Sequence, residues 1–120
     1  MREISSGNPN TRIEVLDEPG QGGACHEYRI ETSDPKGITP VAIVGQISFQ
    51  NGPIKESGVN GCHQEDLLAI VIDRLKSFQA GPFACDANQI ALWKCEEAIM
   101  WLNHRTKDRT KRGVEGVNKE

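Results

Sequence analysis

Apolar residues along this chain follow two rhythms, and the change falls across residues 52–61. Before it they come in short runs. A run over 12–16 ends at Asp17-Glu18-Pro19-Gly20-Gln21-Gly22-Gly23, a second fills 25–32, and Ser33-Asp34-Pro35-Lys36-Gly37 precedes a third over 41–49. In the third, Ile43, Gly45, Ile47 and Phe49 alternate with Ala42, Val44, Gln46 and Ser48, which is the repeat of a strand. The Pro, Gly and Asp clusters between runs are turn formers. The pattern predicts a small antiparallel sheet over 11–50. Three strands alone are marginal, so their apolar face needs cover from elsewhere in the chain or from another subunit. Residues 1–10 are polar and carry Gly7, Asn8, Pro9 and Asn10, which reads as a flexible leader.

Beyond the loop 51–62 the period becomes helical. Leu67, Leu68, Val71, Ile72, Leu75 and Phe78 fall on one broad face and predict a helix over 63–79. The break Gln79-Ala80-Gly81-Pro82-Phe83-Ala84-Cys85 ends it, and Asp86 stands where an N-cap belongs. Ile90, Ala91, Cys95, Ala98, Ile99 and Leu102 then predict a second helix over 87–111. A link this short makes the pair an antiparallel hairpin. The expected class is α+β, a small N-terminal antiparallel β-sheet followed by a C-terminal two-helix hairpin. The whole is read as a single domain over 1–120, with the hairpin over 63–112 and a tail over 113–120.

At 120 residues, with 37% hydrophobic residues and a formal net charge of -3, the chain offers no bulk positive charge for nucleic acid and no apolar run for a membrane span. The start Met1-Arg2-Glu3-Ile4-Ser5-Ser6-Gly7 lacks the apolar core of a signal peptide. A cytosolic location is expected. Cys25, Cys62, Cys85 and Cys95 form no close pair with metal-ligand spacing, and the adjacent Cys25-His26 and Cys62-His63 pairs point their side chains apart. Neither a metal nor another cofactor is expected.

Cations gather locally instead, at Arg105, Lys107, Arg109, Lys111 and Arg112. Arg105, Arg109 and Arg112 lie on neighbouring rows of one helical face, where guanidinium forks could close on phosphate. The competing structural role for such charges is to complement the negative end of a helix macrodipole. Glu96 and Glu97 are the nearest candidates for a general base, and as adjacent helix carboxylates they read as solvated surface. A binder is expected rather than an enzyme.

Ordered blocks of the sequence add to this. Ile47-Ser48-Phe49-Gln50-Asn51-Gly52-Pro53-Ile54-Lys55-Glu56, Gly58-Val59-Asn60-Gly61, the segment Asp66-Leu67-Leu68-Ala69-Ile70-Val71-Ile72-Asp73-Arg74-Leu75, the segment Ser77-Phe78-Gln79-Ala80-Gly81-Pro82-Phe83-Ala84-Cys85, and the basic run from Arg105 to Gly116 resemble the phage-encoded Thoeris anti-defence sponges. That family shares a helical hairpin domain with phage anti-CBASS sponges. The resemblance implies sequestration, without cleavage, of the cyclic ADP-ribose isomer (glyco-cyclic ADP-ribose) made by bacterial TIR-domain immune sensors, in the cytoplasm of the infected host. It implies that Phe78 and Asn88 contact adenine or ribose, and that Arg105 and Arg109 hold the pyrophosphate; Arg112 joins these as a candidate ligand-binding residue on the charge pattern alone. Asp86 departs from it, standing where the family usually has a basic residue.

Geometry shapes the expected assembly. Asn88 and Arg105 are 17 positions apart, about 25 Å along one helix, which a small dinucleotide cannot bridge. Two hairpins packed antiparallel about a two-fold axis would form composite pockets, with Phe78 and Asn88 from one subunit and Arg105 and Arg109 from the other. A homodimer is therefore expected, and the resemblance extends this to a homohexamer. In that assembly the loop with Lys55, Gly58, Val59 and Asn60 would form a second site for cyclic di- or trinucleotides. The alternative is a small module that binds nucleic acid or protein through the basic C-terminal helix.

Overall fold

A computed structural model describes residues 2–111, and contacts divide the chain into two compact units, Met1–Cys62 and His63–Glu120. The first is built on an antiparallel sheet of β1 (Arg2–Ile4), β2 (Thr11–Val15), β3 (Glu27–Thr32) and β4 (Ile43–Ser48), in that spatial order. The three strands expected from alternation are present. The leader reading is corrected, because Arg2, Glu3 and Ile4 pair with Val15, Glu14 and Ile13 as a fourth, edge strand. Polar residues 5–10 are the turn that returns the chain. Gly7 sits at φ 90, and the Asn10 N–H donates to Asn8 Oδ1 at 2.9 Å. A three-residue strand is too short to show a period of its own.

Cross-strand register explains the faces. Ile4, Ile13, Ile30 and Gly45 form one row, and Val15, Tyr28 and Ile47 form the next on the same face. Val15 is 1% exposed, and Tyr28 meets Phe49 edge to face with centroids 5.6 Å apart. The opposite face is charged. There Glu31 is buried, held by Arg12 at 3.4 Å and Arg29 at 3.8 Å, a pairing that compensates the carboxylate for lost water.

The loop after β4 is more ordered than alternation and turn residues suggest. It contains a single helical turn, α1 (Ile54–Ser57), and returns to the sheet through an isolated parallel bridge between Phe49 and Cys62. The Cys62 N–H donates to the Ser48 carbonyl and the Gln50 N–H to the Cys62 carbonyl, both at 2.8 Å.

The second unit is the expected hairpin of α2 (Gln64–Gln79) and α3 (Asp86–Lys111). Asp66 starts α2 by accepting the His63 N–H at 2.9 Å, satisfying a group at the helix entry. Asp86 is the first residue of α3, so its carboxylate lies in the first turn, where the macrodipole favours it. Gln79 meets Gln89 and Lys76 meets Glu96, which fixes the helices as antiparallel. Leu92 is the one buried residue among the described residues of the hairpin, at 6% exposed. Ile70, Val71, Ile90, Trp93, Met100 and Trp101 are exposed, since two helices can bury only the sides they turn to each other.

Candidate functional site

The hairpin carries chemistry at both ends. At its turn, Gln79 Nε2 donates to Gln89 Oε1 at 3.3 Å while Gln79 Oε1 accepts the Cys85 N–H at 3.0 Å. These bonds fix the link between Phe78, near the end of α2, and Asn88, in the first turns of α3. Both side chains are half-buried. Sequence reasoning did not single out Arg74, whose guanidinium lies over the Phe78 ring, 4.9 Å from its centroid. Its spacing, four residues before an aromatic on one helix, was the available signal.

At the other end, α3 outruns α2. Gln79 meets Gln89, so most of the difference between the 16 residues of α2 and the 26 of α3 lies at the C-terminal side of α3. Roughly 10 Å of helix extends there past the start of α2. Arg105 is exposed and Arg109 half-buried in this stretch, one helical turn apart. Arg112 and the tail over 113–120 lie outside the described residues. Trp101 and His104, a turn earlier, meet edge to face at 5.6 Å.

Phe78 and Asn88 thus flank the Gln79–Gln89 pair at the turn end, and Arg105 and Arg109 lie one turn apart on α3. One continuous helix carries both Asn88 and Arg105, so the two pairs do not meet within one chain. Lys76 is paired with Glu96 at 3.8 Å, whereas neither Arg74 nor Arg105 has a carboxylate within 4.0 Å among the described residues.

In the loop of the first unit, Lys55 is on α1, and Val59 is 77% exposed. Two of its neighbours have structural roles. The Gly58 N–H closes α1 by donating to the Ile54 carbonyl at 2.9 Å, with Gly58 at φ 72, where a side chain would strain the turn. The Asn60 amide spans the loop, accepting the Asn51 N–H at 2.8 Å and donating to the Asn51 carbonyl at 2.7 Å.

A cavity of about 290 Å³ in the same unit is lined by Asn10, Thr32, Ser33, Asp34 and Thr39. Asp34 is already engaged there by the backbone N–H groups of Thr39, Lys36 and Ile38, at 2.7, 2.9 and 3.1 Å. Those bonds, from Thr39 first and then Lys36, hold its carboxyl below the ordinary 3.8. Among the described residues, no group of three or more His, Cys, Asp and Glu could hold a metal ion, and no helix is long and apolar enough to cross a membrane.

The second unit is thus a hairpin of two unequal helices, with Phe78 and Asn88 near its turn and Arg105 and Arg109 toward the far end of its longer helix. Residues 42–107 match the Acb2/Tad1 hairpin domain, and the chain belongs to that family. The matched span holds Phe78, Asn88 and Arg105 and stops short of Arg109. The chain is also similar to a protein named Thoeris anti-defense 1 from Bacillus phage SBSphiJ7, with 51% identity over 74 residues, 62% of this chain and 52% of that protein. It spans about half the length of that curated relative.

Proposed function

We propose that the chain is a phage anti-defence sponge. It binds glyco-cyclic ADP-ribose, the cyclic ADP-ribose isomer made by bacterial TIR-domain sensors, and holds it uncleaved in the cytoplasm of the infected host. The observation that carries this reading is the complementary pair of clusters at the two ends of one hairpin. Phe78 and Asn88 suit a purine or ribose, and Arg105 and Arg109 suit a pyrophosphate. Membership in the Acb2/Tad1 hairpin family and the likeness to Thoeris anti-defense 1 support it.

The separation of the clusters requires a second chain. In the proposed homodimer, two hairpins pack antiparallel through the exposed face of Ile70, Ile90, Trp93 and Met100, so each pocket takes Phe78 and Asn88 from one subunit and Arg105 and Arg109 from the other. Arg112 extends the same basic face. Assembly into a homohexamer would bring the Lys55 to Asn60 loops together as a second site for the cyclic di- or trinucleotides of CBASS. Asn60 would shape that site through the bonds that close the loop, leaving Lys55 and Val59 as its exposed contacts.

No step of this function breaks a bond, so the protein is proposed as a binder rather than an enzyme. The test is depletion followed by recovery. Purified protein is mixed with the TIR-derived isomer, free ligand is assayed, and the complex is heat-denatured for mass spectrometry. The expected result is loss of free ligand and return of the same mass on denaturation. A changed product would make the protein an enzyme, and no depletion would overturn the reading.

A further inference from the structure

The Arg74 guanidinium rests on Phe78 and has no carboxylate within 4.0 Å among the described residues. A guanidinium held over a ring carries five N–H donors and can keep some of them for acceptors. Contact with the ring also limits the conformations the side chain would lose on gripping a ligand. The neighbouring cation on the same helix, Lys76, is by contrast matched to Glu96. Among the described residues, the turn end of the hairpin therefore has a cation without an ion-pair partner, placed over its aromatic.

From this we infer that Arg74 is a further ligand-contacting residue, donating from its guanidinium edge to a phosphate of the bound adenine-nucleotide anion while its face stays on Phe78. The inference rests on the sponge reading above. It gives the turn end of each composite pocket a charge of its own, so that the phosphates are approached from both subunits. Phe78 then stacks on the base with the ring face that Arg74 leaves open.

The test compares Arg74→Met, Arg74→Lys and Arg109→Ala with the unmodified protein. The dissociation constant for the TIR-derived cyclic ADP-ribose isomer is measured by equilibrium dialysis at low and high salt, with the melting temperature of each variant. Methionine keeps an unbranched stem and a sulfur contact to the ring without the charge. If Arg74 grips phosphate, Arg74→Met weakens binding about tenfold or more and flattens its salt dependence, as loss of a charge-assisted bond does. Arg74→Lys then recovers part of the loss. If Arg74 only steadies the ring, Arg74→Met binds within about twofold of the unmodified protein with the same salt dependence, and the inference is overturned. Should Arg109→Ala lose the ligand while Arg74→Met keeps it, the sponge reading stands and this inference alone fails. An unmodified protein that retains no ligand ends both.

Discussion

Gln79 ties the hairpin turn with both ends of its amide, donating to Gln89 Oε1 at 3.3 Å and accepting the Cys85 N–H at 3.0 Å. One side chain thereby connects the end of α2, the link and the start of α3, the segments that carry Phe78 and Asn88. Gln79→Leu keeps the bulk and removes both bonds. It is expected to cost about 1–2 kcal/mol and to lower the melting temperature by several degrees. Ligand affinity should fall further than stability, because the turn residues lose their relative placement. Thermal melts paired with equilibrium dialysis check this, and an unchanged affinity in a destabilised variant would show that Gln79 serves the turn alone.

Asp17 ties a different turn. Its carboxylate accepts the His26 N–H at 2.9 Å and the Glu27 N–H at 3.1 Å at the entry to β3. The His26 bond, aided by that from Glu27 and opposed by desolvation, lowers its pKa from the ordinary 3.8. A carboxyl depressed in the folded state contributes stability above its unfolded value, and that contribution is lost as pH falls through the folded one. The difference in melting temperature between the unmodified protein and Asp17→Asn should therefore be present at neutral pH. It should shrink once the pH drops below about 3.8 and vanish below the folded value. A difference that persists through that range would mean the carboxylate charge is not what holds the turn.

Gly61 stands where the loop rejoins the sheet. A Cβ there would lie 2.5 Å from the Phe49 carbonyl carbon and 2.5 Å from the Ser48 oxygen, both backbone atoms that cannot swing aside. Gly61→Ala should destabilise the first unit by roughly 1–3 kcal/mol, as overpacking does. Urea unfolding followed by Tyr28 fluorescence would register it as an earlier midpoint, whereas a normal midpoint would mean that the backbone yields at little cost.

How much of this was legible in the sequence follows from physical range. The 3.6-residue period of Leu67 through Phe78 placed α2 within one residue, and alternation through Ile43, Ile47 and Phe49 placed β4. β1 was missed because Arg2–Ile4 is recognised only through its partners on β2. The loop bonds of Gln50 and Asn60 were missed for the same reason: a side-chain amide gives no periodic signal. Of the proposed site, Phe78 and Asn88 came from resemblance, Arg105 and Arg109 from charge spacing as well as resemblance, and the long single helix that carries Asn88 and both arginines came from pattern. Arg74 was hidden among ordinary helix-surface charges, and only its position over a ring sets it apart.

Arg109→Ala separates a ligand-holding role from a structural one. Arg109 is half-buried on the stretch of α3 that extends past α2. If it holds phosphate, ligand retention should be lost while the melting temperature shifts by no more than a degree or two, the range of an ordinary surface change. A fall of many degrees would assign it to folding, in line with a cation that serves the C-terminal half of the helix.

The proposed composite pocket gives the sharpest consequence. Trp93 is 60% exposed on α3, with Ile90, also exposed, three residues before it on the same face. In an isolated chain, Trp93→Glu removes a side chain that is already mostly exposed and adds a carboxylate to a solvated helix, so helicity by circular dichroism should be retained. In the proposed dimer the same carboxylate is buried against an apolar partner face without a cation, a cost of several kcal/mol. The variant should then run as a monomer by light scattering and should lose ligand retention, although none of Phe78, Asn88, Arg105 and Arg109 has been touched. Coupled loss is the signature of a pocket shared between chains. A monomeric variant that still retains the ligand would place the whole site within one hairpin, and a variant that remains dimeric would move the interface off this face.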